Sequence, residues 1–157
     1  MSSKQSKKVL VIDDEQVVID EVVNFLCQNG YSPTVCMNTE AALQAAATDD
    51  FDLIISDINI GSENGLELCQ QIHELKNTHD TPVIFLSGAQ IPDIVRRSRS
   101  AGGTYYIRKP FDPDVLVEIL DKALWMPALT QPVPVPAPKS GTSPGGAPQV
   151  DSALVRF

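Results

Sequence analysis

Cysteine is scarce in this chain of 157 residues: Cys27, Cys36 and Cys69 stand 9 and 33 positions apart, with no C-x-x-C pair. An odd count closes no complete disulfide framework, and His73 and His79 are not spaced with the thiols as a zinc set. All three thiols are expected to be reduced packing residues. Long apolar runs are missing too, since none approaches the roughly 20 residues that cross a bilayer. The basic start, Met1 to Lys8, is followed only by Val9-Leu-Val-Ile12 before two aspartates, too little for a signal-peptide core. A cytoplasmic chain with no membrane partner is expected. Positive charge is short as well: residues 1–126 hold 10 Lys and Arg against 19 Asp and Glu. Such a surface repels phosphate backbones, which argues against direct nucleic-acid binding.

What is present suits one domain. The apolar fraction is 43%, enough for a core at this length. Apolar β-branched runs alternate with helical patterns from residue 8 to residue 125. Lys8–Ile12 is an apolar strand, and Val18, Val22, Phe25 and Leu26 then recur at helical spacing until Asn29-Gly30. Thr34–Met37 reads as a second strand, and Asn38 or Thr39 can cap the alanine-rich helix that follows. Asp52–Ser56 is a third strand, and Asn64-Gly-Leu-Glu67 opens the next helix as a capping box. Val83–Ser87 is the fourth strand. Ile91, Ile94, Val95 and Ala101 mark a helix stopped by Gly102-Gly103. Tyr105–Arg108 is the fifth strand, and Asp112-Pro113 caps a last helix that Pro127 ends. Central strands that are apolar throughout imply a parallel sheet covered on both faces, a doubly wound α/β fold.

Residues 1–7 are expected to be a flexible N-terminus, 8–126 the folded domain and 127–157 a disordered tail. The last of these holds seven prolines, among them Pro132, Pro134, Pro136 and Pro138, with Gly141, Gly145 and Gly146. Such a composition buries too little apolar surface to offset its ordering entropy. The chain ends Ser152-Ala-Leu-Val-Arg-Phe157, read as a frayed end, with a docking peptide as the alternative.

In open parallel sheets ligands collect at the carboxyl ends of the strands. The first strand is followed there by Asp13-Asp14 and the third by Asp57; the fourth ends in Ser87 and the fifth runs into Lys109. Three carboxylates in one cleft repel one another by about 4 kcal/mol per close pair at an effective dielectric near 20. Either their pKa values rise or a cation enters, and oxygen-only ligands select a hard divalent ion, Mg²⁺ or Mn²⁺. An aspartate beside such an ion can attack a phosphoryl group and form an acyl phosphate.

The blocks Val9-Leu-Val-Ile-Asp-Asp-Glu15, Asp57, Leu86-Ser87-Gly88 and Tyr106-Ile-Arg-Lys-Pro-Phe111 resemble the signature blocks of bacterial two-component response-regulator receiver domains, of the stand-alone, chemotaxis-regulator-like kind. The resemblance covers residues 8–125. It implies a flavodoxin-like (βα)5 sandwich with parallel strand order 2-1-3-4-5. It implies Asp57 as phosphoacceptor, with Asp13, Asp14, Asp57 and the backbone carbonyl of Asn59 as metal ligands. Ser87 and Lys109 would hold the phosphoryl group, Tyr106 would be the switch aromatic, and Lys109–Pro110 would be cis. The implied partners are a histidine kinase or phosphotransfer protein, a downstream protein target, and a second copy in a phosphorylation-dependent homodimer. A proline common four residues after the phosphoacceptor is Gly61 here, a change expected to loosen the loop without moving a ligand.

Each residue also has a blander reading. Asp13-Asp14 can cap the first helix, Glu15 can be a first-turn acid, and Tyr106 can be a partly buried sheet aromatic. Arg96, Arg97, Arg99, Tyr105 and Arg108 gather around the fourth helix and fifth strand, as a solvated face or as an output surface. Ala89 is small, so water should reach an acyl phosphate and limit its lifetime to minutes. Two other functions fit less well. A metal-dependent aspartyl phosphatase usually carries an acid two residues after its nucleophile, where Asn59 stands. A receiver-like module that is never phosphorylated would not need every one of these residues. As a receiver the chain would be a switch, with self-catalysed phosphorylation and dephosphorylation rather than enzymatic turnover.

Overall fold

The computed structural model describes residues 6–88, 94–125 and 154–156. Five parallel strands build the sheet: β1 (Lys8–Ile12), β2 (Ser32–Cys36), β3 (Leu53–Asp57), β6 (Val83–Ser87) and β7 (Tyr105–Arg108). Between β3 and β6 lies a small antiparallel pair, β4 (Asn59–Ile60) with β5 (Glu63–Asn64). A further strand, β8 (Leu154–Arg156), runs antiparallel beside β7. The order across the large sheet is β2-β1-β3-β6-β7-β8, so the five parallel strands take the expected 2-1-3-4-5 arrangement. The second strand starts two residues earlier than its apolar pattern suggested, because Ser32 and Pro33 still pair with Lys8 and Val9.

The helices are α1 (Gln16–Gln28), α2 (Thr39–Thr48), α3 (Gly65–His73), α4 (Ile94–Ser100) and α5 (Pro113–Trp125). Their ends follow local chemistry. Asn38 accepts from the Ala41 N–H at the start of α2, and Asn64 accepts from Leu66 and Glu67 at the start of α3. Asp112 accepts from the Asp114 N–H ahead of α5, with Pro113 as its first residue. Gly30 follows α1 with φ of 85°, a left-handed conformation that suits glycine. Ile91 lies outside the described residues.

Strand side chains alternate between the two faces, and each face buries a cluster. Leu10, Ile12, Ile54, Phe85 and Tyr106 pack with Ala42, Leu68, Ile72 and Ile94 from α2, α3 and α4. Val9, Val11, Ile55, Leu86, Tyr105 and Ile107 pack with Val22, Leu26, Leu116 and Leu120 from α1 and α5. Burial of an aliphatic side chain contributes about 1.5–3 kcal/mol, so these two layers supply most of the driving force. Tyr105, grouped by sequence with the output-face arginines, is a correction: only 3% exposed, it belongs to the α1/α5 layer. Cys27 is a second correction, since it is exposed; Cys36 and Cys69 are buried, and all three thiols are free. No helix among the described residues is long and apolar enough to cross a membrane.

Candidate functional site

Register brings the chemistry to one edge. Ile12 stands beside Ser56, and Asp57 beside Leu86, so Asp13, Asp57 and Ser87 leave neighbouring strand tips together. The Lys109 N–H donates to the Ser87 carbonyl at 2.9 Å, which fixes the end of β7 against the end of β6. The Lys109–Pro110 peptide is cis. An open cleft of about 610 Å³ lies above these tips, bounded by Asp14, Glu15, Asp57, Asn59, Gly88 and Lys109.

Asp13, Asp14 and Asp57 each offer a carboxylate oxygen, and the three oxygens lie within 4.8 Å of one another. Asp13 and Asp57 are buried and Asp14 is exposed, so the cluster has a wet side. Oxygen-only donors at this spacing fit a hard divalent cation. Lys109 Nζ sits among the acids, 3.0 Å from Asp13 Oδ2, 3.1 Å from Asp57 Oδ2 and 2.9 Å from Glu15 Oε1. The last contact was not foreseen. A first-turn acid reads as a surface residue, and only the fold shows that it turns back over the lysine.

Backbone donors hold the carboxylates from behind. Asp13 Oδ1 accepts from the Glu15 N–H at 2.9 Å, and Asp57 Oδ1 accepts from the Asn59 N–H at 3.2 Å. Asp14 Oδ2 accepts from the Gly61 N–H at 2.8 Å. Gly61 therefore does more than loosen its loop, because a proline there would have no hydrogen to donate. Glu15, which stands at the N-cap of α1, makes no side-chain cap bond.

Burial, and after it the charge of Asp13, pushes the Asp57 carboxyl from 3.8 up to about 6; Lys109 and the Asn59 N–H pull the other way. For Lys109 burial disfavours the charged form. The Glu15 bond and the Asp57 and Asp13 charges outweigh it, so the ammonium stays protonated well above its ordinary range. Asp57 is thus ionised near neutral pH and faces a permanent cation.

Tyr106 is 3% exposed and hydrogen-bonded to Ser87. Burial raises its phenol above the ordinary value, against the pull of that bond and of the Arg108 charge. The ring already lies inside, packed in the α2/α3/α4 layer. Arg96, Arg97 and Arg99 are exposed on α4, and Arg108 is half-buried at the end of β7. Ala89 lies outside the described residues.

Residues 9–121 match the response regulator receiver domain family. The chain belongs to that family. Receiver domains of two-component response regulators are in general modules of phosphorelay signalling rather than classical enzymes. It is 32% identical over 111 residues to the transcriptional regulatory protein YvrH of Bacillus subtilis, covering 69% of this chain and 45% of the relative. It is 31% identical over 112 residues to the regulatory protein VanR of Enterococcus faecium, covering 71% of this chain and 47% of that one. The receiver spans about half the length of the curated relatives it matches. In structure it resembles the chemotaxis response regulator CheY4 of Vibrio cholerae, with a TM-score of 0.71 at 28% identity, covering 76% of this chain and 99% of that one. A CheY-like receiver from Methanospirillum hungatei gives the same TM-score at 26% identity, covering 76% of this chain and 94% of that one.

Proposed function

We propose that this receiver takes a phosphoryl group on Asp57 from a histidine kinase or phosphotransfer protein and signals by protein contact. The reading is carried by the arrangement around Asp57: two further carboxylates with oxygens inside 4.8 Å, and Lys109 Nζ at 3.1 Å. Asp57 attacks phosphorus with a carboxylate oxygen, the bond from phosphorus to the donor's nitrogen or oxygen breaks, and the donor leaves with the electron pair. Asp13, Asp14 and Asp57, with the Asn59 backbone carbonyl, are the residues that would hold Mg²⁺ or Mn²⁺. Bound there, the ion supplies charge neutralisation and alignment. Lys109 would neutralise phosphoryl charge from the end of β7, where its 2.9 Å bond to Glu15 helps to hold the ammonium. Water attack on the acyl phosphate at the same site reverses the change, so both reactions are self-catalysed.

The bond between Ser87 and Tyr106 supports a route outward. A hydroxyl can accept one hydrogen bond while donating another. Ser87 can therefore keep its bond with Tyr106 while donating to a phosphoryl oxygen, which links the Tyr106 ring to the state of Asp57 without any empty space for the ring to fill. Tyr106 lies on β7 beside Arg108, and α4 with Arg96, Arg97 and Arg99 packs near that strand. That basic stretch on an acidic domain suits an acidic partner or a second copy. A chemical-shift spectrum in which beryllofluoride left Tyr106 undisturbed would reject the coupling.

Incubation with acetyl phosphate and Mg²⁺ tests the central reading. Intact-mass analysis should show one phosphoryl group on the wild type and none on Asp57→Asn. Equal labelling of both proteins, or of neither, would overturn the assignment.

A further inference from the structure

The two outer edges of the parallel sheet are treated differently. An uncovered edge strand offers unpaired N–H and C=O groups to any passing strand, and proteins blunt such edges with proline, charge or cover. The β2 edge is blunted in its own sequence, Ser32-Pro-Thr-Val-Cys36, where Pro33 removes a donor from a half-exposed strand. The opposite parallel strand, Tyr105-Tyr-Ile-Arg108, has no proline, and its one charge, Arg108, stands at its last position. Thr104, Tyr105, Tyr106 and Ile107 before it are all of residue types that favour strands. By its own composition it is an edge that invites pairing.

It is also paired. Leu154–Arg156 lies antiparallel along the outer side of β7, with Tyr105 opposite Arg156, Tyr106 opposite Val155 and Ile107 opposite Leu154. This segment is the part of residues 127–157 suited to the role, because Ala153-Leu-Val-Arg156 is free of the prolines and glycines that crowd positions 127–148. The sequence separates Trp125 from Leu154 by 28 residues, and the entropic cost of bringing two ends together grows only slowly with the length between them.

We infer that the outer edge of β7 is a strand-docking site, and that the chain's own Leu154–Arg156 segment fills it in cis. The ligand class is a short extended peptide of β-favouring residues that reads the edge by main-chain hydrogen bonds. A second copy or another protein that would add a strand at β7 must first displace this segment. The location gives the competition its consequence: β7 carries Tyr106 and leads straight into Lys109, so the occupant of this edge lies against the strand that joins the carboxylate cleft to the α4 face. The inference stands on the pairing itself and does not depend on the chemistry of Asp57.

Amide hydrogen exchange on the full chain tests it. In a parallel strand alternate N–H groups point to opposite sides, so β7 has amides protected by β6 and amides protected only by β8. In the full-length double variant Leu154→Pro and Val155→Pro, the outward-facing amides of Tyr105–Ile107 should exchange about tenfold faster than in the wild type. The β1 and β3 amides serve as the control for an intact fold and should not change. Wild-type protection should also persist on dilution. Equal exchange of the outward amides in both proteins would overturn the inference. So would protection that fades as the wild type is diluted, because the segment would then be docking on a second copy.

Discussion

The Gly61 N–H donates to Asp14 Oδ2 across 2.8 Å, tying the loop after the proposed phosphoacceptor to one of the acids after the first strand. Gly61 adopts φ of 63°, and a Cβ built there meets nothing within 4 Å. Two substitutions therefore separate two effects. Gly61→Ala keeps the N–H and adds only the backbone cost of a left-handed residue, about 1–2 kcal/mol. Gly61→Pro removes the N–H and cannot reach a positive φ. Loss of one hydrogen bond, worth about 1 kcal/mol, should weaken Mg²⁺ binding by roughly fivefold to tenfold in the proline variant. Calorimetric titration should show near-native affinity for Gly61→Ala. Equal affinities for wild type and Gly61→Pro would mean that the bond does nothing for Asp14.

Gly65 is constrained by space instead. A Cβ at this position would lie 2.1 Å from the Asp57 backbone carbonyl oxygen, while the Gly65 N–H already donates to Ile58 at 2.6 Å. The first turn of α3 is thus pressed directly on the strand tip that carries the acceptor. Gly65→Ala must push the two backbones apart, which should cost about 1–3 kcal/mol in urea unfolding. The same shift should slow labelling by acetyl phosphate in the fraction that remains folded. Unchanged unfolding midpoint and labelling rate would show that the helix yields freely.

These two glycines mark where the sequence was legible and where it was not. The five parallel strands announced themselves as continuous apolar runs, and the rule that sites gather at strand ends picked out Asp13, Asp14, Asp57, Ser87 and Lys109, which the fold brings to one edge. The same continuity hid which face each residue takes: with both sides of the sheet buried, nothing in Tyr105-Tyr106 says which ring turns toward α5. Glu15 was missed for a related reason, since no spacing tells a first-turn acid to bend back onto a lysine 94 positions away. The β4–β5 pair is two residues per strand, too short for any periodicity to register. The β8 strand is three residues long and follows a proline-rich stretch whose composition points away from structure.

The raised Asp57 carboxyl makes a signed prediction about pH. Its value moves from 3.8 to about 6 on folding, with burial the largest cause and the Asp13 charge the next. Between those values the folded state binds more protons at this group than the unfolded state does, so this group's contribution to stability falls as pH rises through the window. Above about pH 6 the ionised carboxylate costs on the order of 2–3 kcal/mol. Asp57→Asn removes that cost, so in chelator its Tm should exceed the wild type's at pH 8, with the gap closing toward pH 4. Added Mg²⁺ should narrow the gap at pH 8 by stabilising the wild type more. A gap independent of pH would show that Asp57 titrates alike in both states.

Lys109 competes for the oxygens that would hold the ion, and removing it should expose that competition. Its Nζ lies within 3.1 Å of Asp13, Glu15 and Asp57, with only 12% of its side chain exposed. Lys109→Ala leaves the buried carboxylates facing one another with no ammonium between them. In chelator the variant should lose about 3–5 kcal/mol, the usual range for breaking a buried pair and stranding its partner. Mg²⁺ should recover more stability in the variant than in the wild type, and its affinity should hold or rise, because the metal no longer displaces a bound cation. Labelling by acetyl phosphate should nevertheless fall about a hundredfold, since neutralisation of the phosphoryl oxygens from the β7 side is gone. The two readouts moving in opposite directions distinguish a phosphoryl-binding lysine from a purely structural one. Mg²⁺ affinity falling in step with labelling would mean that Lys109 organises the acids rather than competing for them.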